Sequence, residues 1–435
     1  MFLATNKTTS MNNDQKWSQL SLAEKLRKCV SPENHPIEVR ETSRVHNSPD
    51  NFVLNNYSLL FRLLYLVGIK VTDYAESKKK NNSEERKAKN VKQRLVRCCE
   101  NFLKYFVFSV MYSRNLISVF LLIFVKVTKT DVVRVFQSVL FSVIYTLIYR
   151  KRRAILRISK GIGFIYRQLP NCNLKKKNYH LTGVLVFVLI ILIIRFTLLF
   201  GISENNAVFR EKFSRLFSEL NEYPMSFSLV FYLVILLFVV ESLSYIIAFI
   251  ALSNFVTYYG LTCSFIRDVS KCLLIQMHGA VSSNELKKVQ YIYEGIMKML
   301  NDMDSEFSLL AFITVLFNTF GLFWDVYRIA FYKNETSGYL TFTLSSISYL
   351  ALLLMLMISG FASNEQANIV KIHMLCLPHE TAENQSKMNF NKKTLLQDNV
   401  LTLWKIYVLD RSLVIATFGT LLTYGIMLGT LGKNN

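Results

Sequence analysis

The stretch that most constrains this chain is its last apolar run, from Leu409 to Gly432, which carries no charge between Arg411 and Lys433. At 1.5 Å rise per residue a helix of this length is roughly 30 Å long, enough to cross the hydrocarbon core of a bilayer. Its polar residues are not scattered. Thr420, Thr423 and Thr430 fall near one helical face with Ala416 and Met427, and Gly425 and Gly429 sit four apart on a neighbouring face. A hydroxyl stripe is of no use to a single-span anchor in lipid; it suits a helix that faces its own kind, or water.

The run is the last of several. The 435 residues are 51% hydrophobic, with a formal charge of +21 and six prolines, and the mean hydropathy is +0.27. That combination with long charge-free segments predicts a polytopic membrane protein. The positive charge is concentrated between apolar runs, as contact with an inner leaflet requires, so membrane lipid and not nucleic acid is the expected partner. The scarcity of Pro disfavours the broken helices of many transporters.

An all-α membrane protein with seven transmembrane helices follows. Residues 1–100 are read as a cytosolic N-terminal region with a short interfacial helix at 53–70, interrupted by Asn55, Asn56 and Arg62. Residues 101–362 hold six spans, near 102–125, 132–149, 181–200, 225–254, 307–323 and 339–361. Residues 363–410 form a cytosolic region, and residues 411–432 the seventh span. The Lys/Arg excess lies before the first span, at 150–177, and more mildly at 255–304 and 363–411. The N terminus is therefore expected in the cytosol and the C terminus outside. This places Cys29, Cys98, Cys99, Cys172, Cys263, Cys272 and Cys376 on the cytosolic side, where thiols stay reduced. The sequon Asn334-Glu335-Thr336 falls in an outside loop, a possible N-glycosylation site. Apolar residues spaced by threes and fours predict cytosolic helices over Leu286–Met303 and Leu395–Leu409, whose faces need a partner.

The C-terminal run also resembles that of the insect gustatory receptors, relatives of the odorant receptors. That family ends in Thr-Tyr, five hydrophobic residues, then Gln-Phe. Here Thr423-Tyr424 are followed by Gly425-Ile426-Met427-Leu428-Gly429, and Thr430-Leu431 stand in the places of Gln-Phe. Leu409-Asp410-Arg411-Ser412-Leu413 is similar to the family's lead-in to its last helix. The resemblance implies a tetrameric, ligand-gated, non-selective cation channel in the plasma membrane of a sensory neuron, a homotetramer or a heterotetramer with related receptors. It implies that the last span lines the pore, that cytosolic helical extensions anchor the subunits, and that a small-molecule tastant binds in the outer half of the bundle.

On that resemblance Thr420, Thr423, Met427, Thr430 and Leu431 are the pore and gate residues, a ring of Leu431 gating by dewetting and Thr430 offering hydroxyls to a hydrated ion. The competing reading is that Gly425 and Gly429 pack this helix on span five or six while the threonines bond back to their own carbonyls. Intramembrane polar groups are costly, so Arg195, Glu241, Tyr245, Trp324, Ser345 and Tyr349 are the ligand-pocket candidates. An ion pair between Arg195 and Glu241 is the structural alternative. The alternative function is a seven-span G-protein-coupled receptor or a transporter of a small solute. The reversed orientation and the lack of an Asn-Pro-x-x-Tyr in the last helix argue against the former. No enzyme or cofactor is expected: the six histidines are scattered without metal spacing, and no Gly-rich phosphate loop occurs.

Overall fold

The structure, a computed structural model, describes residues 49–71, 86–124, 129–169, 183, 185–194, 227–279, 283–331, 336–376 and 400–431. The expected Asn334 and Arg195 sites lie outside these residues. Two units are distinguished, one of residues 1–47 and 368–398 and one of residues 48–367 and 399–435. Of the first, only the end of one helix is described, up to Cys376, where His373 Nδ1 meets the Ile369 carbonyl within the same helix, 2.9 Å away. All that follows concerns the second.

Helix α1 spans Pro49–Leu66. It buries a single stripe, Tyr57, Leu60, Leu64 and Val67, and leaves Leu59, Tyr65 and Leu66 exposed. Gly68, at φ 79°, ends it. The Gly68 N–H donates to Tyr65 O and the Ile69 N–H to Leu64 O, the paired bonds of a Schellman end, which needs a residue free to turn left-handed. The stripe docks on two later helices. The Tyr57 hydroxyl meets Thr262 Oγ1 at 3.1 Å, and Tyr145 donates to the Val67 carbonyl.

Helices α2 (Arg86–Phe124) and α3 (Lys129–Arg167) are each 39 residues long. That is about 58 Å, nearly twice a hydrocarbon core, so both run well past the spans predicted within them. The basic segment at 150–167, expected as a connection, is the continuing body of α3. The pair is joined by polar contacts within the apolar zone: Asn115 donates to Ser142 Oγ and accepts from Ser138 Oγ. Helix α4 is described over Leu185–Ile194.

The long core helices are α5 (Phe227–Gly279), α6 (Ser283–Phe331) and α7 (Thr336–Cys376). Among the described residues, Ile235–Met277, Lys287–Phe331 and Gly338–Leu375 are the segments long and apolar enough to cross a membrane by composition. The predicted cytosolic helix over Leu286–Met303 is present as the first half of α6. Residues 251–266 of α5 are buried without interruption, because α1, α3 and α6 surround them.

The helix predicted over Leu395–Leu409 is not formed in its described part. Residues 400–410 instead make a small antiparallel hairpin, β1 (Thr402–Leu403) against β2 (Tyr407–Val408), with Thr402 opposite Val408 and Leu403 opposite Tyr407. Trp404 and Lys405 take φ of 52° and 58°, and the Ile406 N–H donates to Leu403 O. The threes-and-fours spacing misled because Leu401, Leu403 and Leu409 are buried by α6 and α7, not by a helical stripe of their own. The last helix, α8 (Arg411–Leu431), follows directly. Cys272 is disulfide-bonded, which departs from the expectation of reduced thiols, while Cys98, Cys99 and Cys263 are free.

Candidate functional site

Two features stand out, an aromatic core and the mounting of α8. In the core, Phe141 of α3 packs on Phe317 of α6 with ring centroids 4.4 Å apart, and edge-on to Tyr245 of α5 at 5.6 Å. Tyr245 stacks on Phe249, and the Tyr349 ring of α7 stands edge-on to both Phe249 and Phe317. Arg114 of α2, 7% exposed, places its guanidinium 5.8 Å from the Phe141 ring. Five helices thus meet on one aromatic nucleus, where tilted and edge-on geometries satisfy the ring quadrupoles. Tyr349 also lies against Gly321 of α6. A Cβ built on Gly321 would meet the ring at 2.8 to 3.0 Å, so only glycine fits there.

The sequence-predicted pocket residues divide. Tyr245 and Tyr349 belong to the nucleus. Ser345 is buried, its hydroxyl without a hydrogen-bond partner, as are Thr314 Oγ1 and Asn318 Oδ1 on α6. Glu241 is half-buried on α5, one turn before Tyr245. Trp324 stands apart on α6, stacked at 5.7 Å on Tyr327, which in turn meets Phe331.

The base of α8 is held by side chains from two helices. Asp304 Oδ1 accepts from both the N–H and the hydroxyl of Thr402 at 2.7 Å, and Trp404 donates its N–H to Ser308 O while its ring lies 5.4 Å from Phe312. From α7, Asn364 donates to the Leu401 and Leu409 carbonyls and accepts from the Leu401 N–H. Asp410 caps the new helix, its Oδ1 accepting from the Leu413 N–H at 2.8 Å. Arg411 pairs with Glu365.

Above this foot α8 touches α6, with Tyr424 edge-on to Phe323 at 5.7 Å. Thr420, Thr423 and Met427 are exposed, as are Ile415 and Leu422 on another side. The hydroxyls of Thr417, Thr420 and Thr423 each donate to the carbonyl four residues back. That element of the packing alternative is therefore present, but the threonine face is not packed on the subunit's own helices. The side chains of Thr430 and Leu431 lie outside those described.

With this geometry described, likeness to known proteins can be placed on it. Residues 57–429 match the family model described as 7tm Chemosensory receptor. The chain belongs to the 7tm chemosensory receptor family. Its mostly helical, seven-span membrane fold agrees with the insect chemoreceptor superfamily expected from the C-terminal motif. The structure is similar to that of the insect olfactory receptor OR5 from Machilis hrabei, with a TM-score of 0.61 at 11% identity over 87% of this chain and 99% of that one. It is also similar to the same receptor in complex with eugenol, with a TM-score of 0.62 at 12% identity over 88% and 100%. At such identity the likeness is one of fold. No curated protein matches the sequence significantly.

Several residues of this receptor's site gave no usable signal. Asp304, Asn364 and Glu365 read as ordinary polar helix residues until the hairpin is seen between them. Arg114 falls within the predicted first span and is buried against Phe141.

Proposed function

We propose that this chemosensory receptor is a gustatory receptor, a multi-pass plasma-membrane protein that assembles as a tetramer and forms a non-selective cation channel opened by a small-molecule tastant. The subunits are four copies of this chain or a mixture with related receptors. The observation that carries the reading is the exposure of α8 on its threonine face and its Ile415–Leu422 side while one edge rests on Phe323. A spanning helix bare on two sides needs partners, and copies of itself around an axis give the apolar side a neighbour and the hydroxyl side a wet lumen. Thr420, Thr423, Met427 and Thr430 then line the passage and a ring of Leu431 gates it.

The tastant site in this reading is the aromatic nucleus around Tyr245 and Tyr349, with Glu241 above it. The unpartnered oxygens of Thr314, Asn318 and Ser345 would be satisfied by a small polar guest. The solved relative in complex with eugenol supports a small molecule as the guest. The hairpin and the helical extensions of α6 and α7 serve as the cytosolic anchor, with the N terminus inside and the C terminus outside. Expression in a heterologous cell with whole-cell recording across sugars, bitter compounds and amino acids tests the reading. A tastant-evoked cation current is expected, with only the C-terminal tag accessible on intact cells. An accessible N-terminal tag would refute it.

A further inference from the structure

A cavity further along α3 and α6 from the aromatic nucleus has no part in the reading above. It lies between α3 and α6, has a volume of about 550 Å³, and is lined by Arg150, Lys151, Arg153, Arg157 and Glu306, with Leu147 at its apolar edge. Arg150, Arg153 and Arg157 follow one another by three and four residues, so one face of α3 presents them together. Glu306 neutralises part of this charge: Lys151 donates to its Oε2 at 2.7 Å and Arg157 to its Oε1. The other two guanidiniums, on Arg150 and Arg153, have no carboxylate partner among the described residues, and both are exposed.

Four cations around one carboxylate leave an excess of three positive charges in a concave space of small-molecule size. Surface repulsion among them is screened but not removed, and a multivalent anion with several acceptor oxygens is the group that best relieves it. A monovalent anion cannot reach all four cations, and a nucleic acid strand needs a long stripe of charge, whereas these four lie within about two turns of one helix. We propose that this recess is a binding site for a polyphosphorylated small anion of the inositol phosphate type, presented either as a lipid headgroup or free in solution.

The position gives the site a means of acting on α8. Glu306 is two residues from Asp304 and two from Ser308, and both of these hold the hairpin at the foot of α8. An anion that takes Lys151 and Arg157 from Glu306 changes the restraint on that turn of α6.

The test uses the full-length receptor in phosphatidylcholine nanodiscs. Two probes are titrated separately: phosphatidylinositol 4,5-bisphosphate doped into the disc, and inositol hexakisphosphate in the buffer. Saturable binding of one or both is expected, and which probe binds identifies the source. The Arg150→Gln/Arg153→Gln double variant should bind about tenfold more weakly or worse, and the charge-matched Lys287→Gln/Lys288→Gln variant should bind like the wild type. Glu306→Gln should bind more tightly, a gain that misfolding cannot produce. The proposal is overturned if phosphatidylserine at equal total charge binds as well, if both double variants lose equally, or if Glu306→Gln weakens binding.

Discussion

Asn364 and Leu401 exchange hydrogen bonds in both directions, the side-chain amide donating to the Leu401 carbonyl at 3.0 Å and its oxygen accepting from the Leu401 N–H at 2.8 Å. The same amide reaches the Leu409 carbonyl at 2.9 Å. One buried side chain of α7 therefore closes both ends of the hairpin from which α8 departs.

Asn364→Ala strips this junction of three hydrogen bonds and orphans a buried N–H and a carbonyl. A loss of about 2–4 kcal/mol is expected, read as a lowered Tm of the purified receptor. Asn364→Asp sets a carboxylate oxygen against the same two carbonyls and buries a charge, so it should cost at least as much as Asn364→Ala.

The tight turn of the hairpin makes a prediction of opposite sign. Lys405 sits at φ 58° with its side chain exposed, a conformation that costs an L-residue about 1 kcal/mol and glycine nothing. Lys405→Gly should raise the Tm slightly. Trp404→Gly relieves the same strain but gives up the contact with Phe312, and should lower it.

Between α6 and α7 the close approach at Gly321 is set by the Tyr349 ring. Gly321→Ala should cost about 1–3 kcal/mol, because the ring is buried and three of its atoms lie in the way. Paired with Tyr349→Leu, the loss should be less than the sum of the two single changes. Additive losses in thermal melts would show that the two residues are not in contact.

On α8 the threonine hydroxyls already bond to their own helix, so Thr420→Val and Thr423→Val should leave assembly on size-exclusion chromatography unchanged. If the face lines a pore, single-channel conductance should fall. Leu431→Ala should raise leak current if that residue narrows the passage; unchanged currents would withdraw the assignment.

The long apolar helices and their order were legible because hydrophobic length is a strong signal, and the Thr-Tyr motif pointed to the family. Helix ends were less so. The basic run after Tyr149 reads as a break, yet α3 continues through it, since Arg and Lys are good helix formers and carry long apolar stems. The hairpin at 402–408 reads as a helix because apolar residues over 395–409 recur by threes and fours, whereas the leucines that are buried, Leu401, Leu403 and Leu409, stand two and six residues apart. The aromatic nucleus was half visible: Tyr245 and Tyr349 were singled out, but Phe141 and Phe317 are two phenylalanines among 33, and only tertiary packing distinguishes them.

The foot of α8 is fastened to two helices at once, through Asp304 on one and Asn364 on the other. A ladder only two residues wide cannot stretch to accommodate sliding between its supports. Any shear of α6 past α7 would be felt at the hairpin as a change in the tilt of the last helix. In the proposed channel the hairpin would serve as a crank, with a throw set by Asp304 and Asn364.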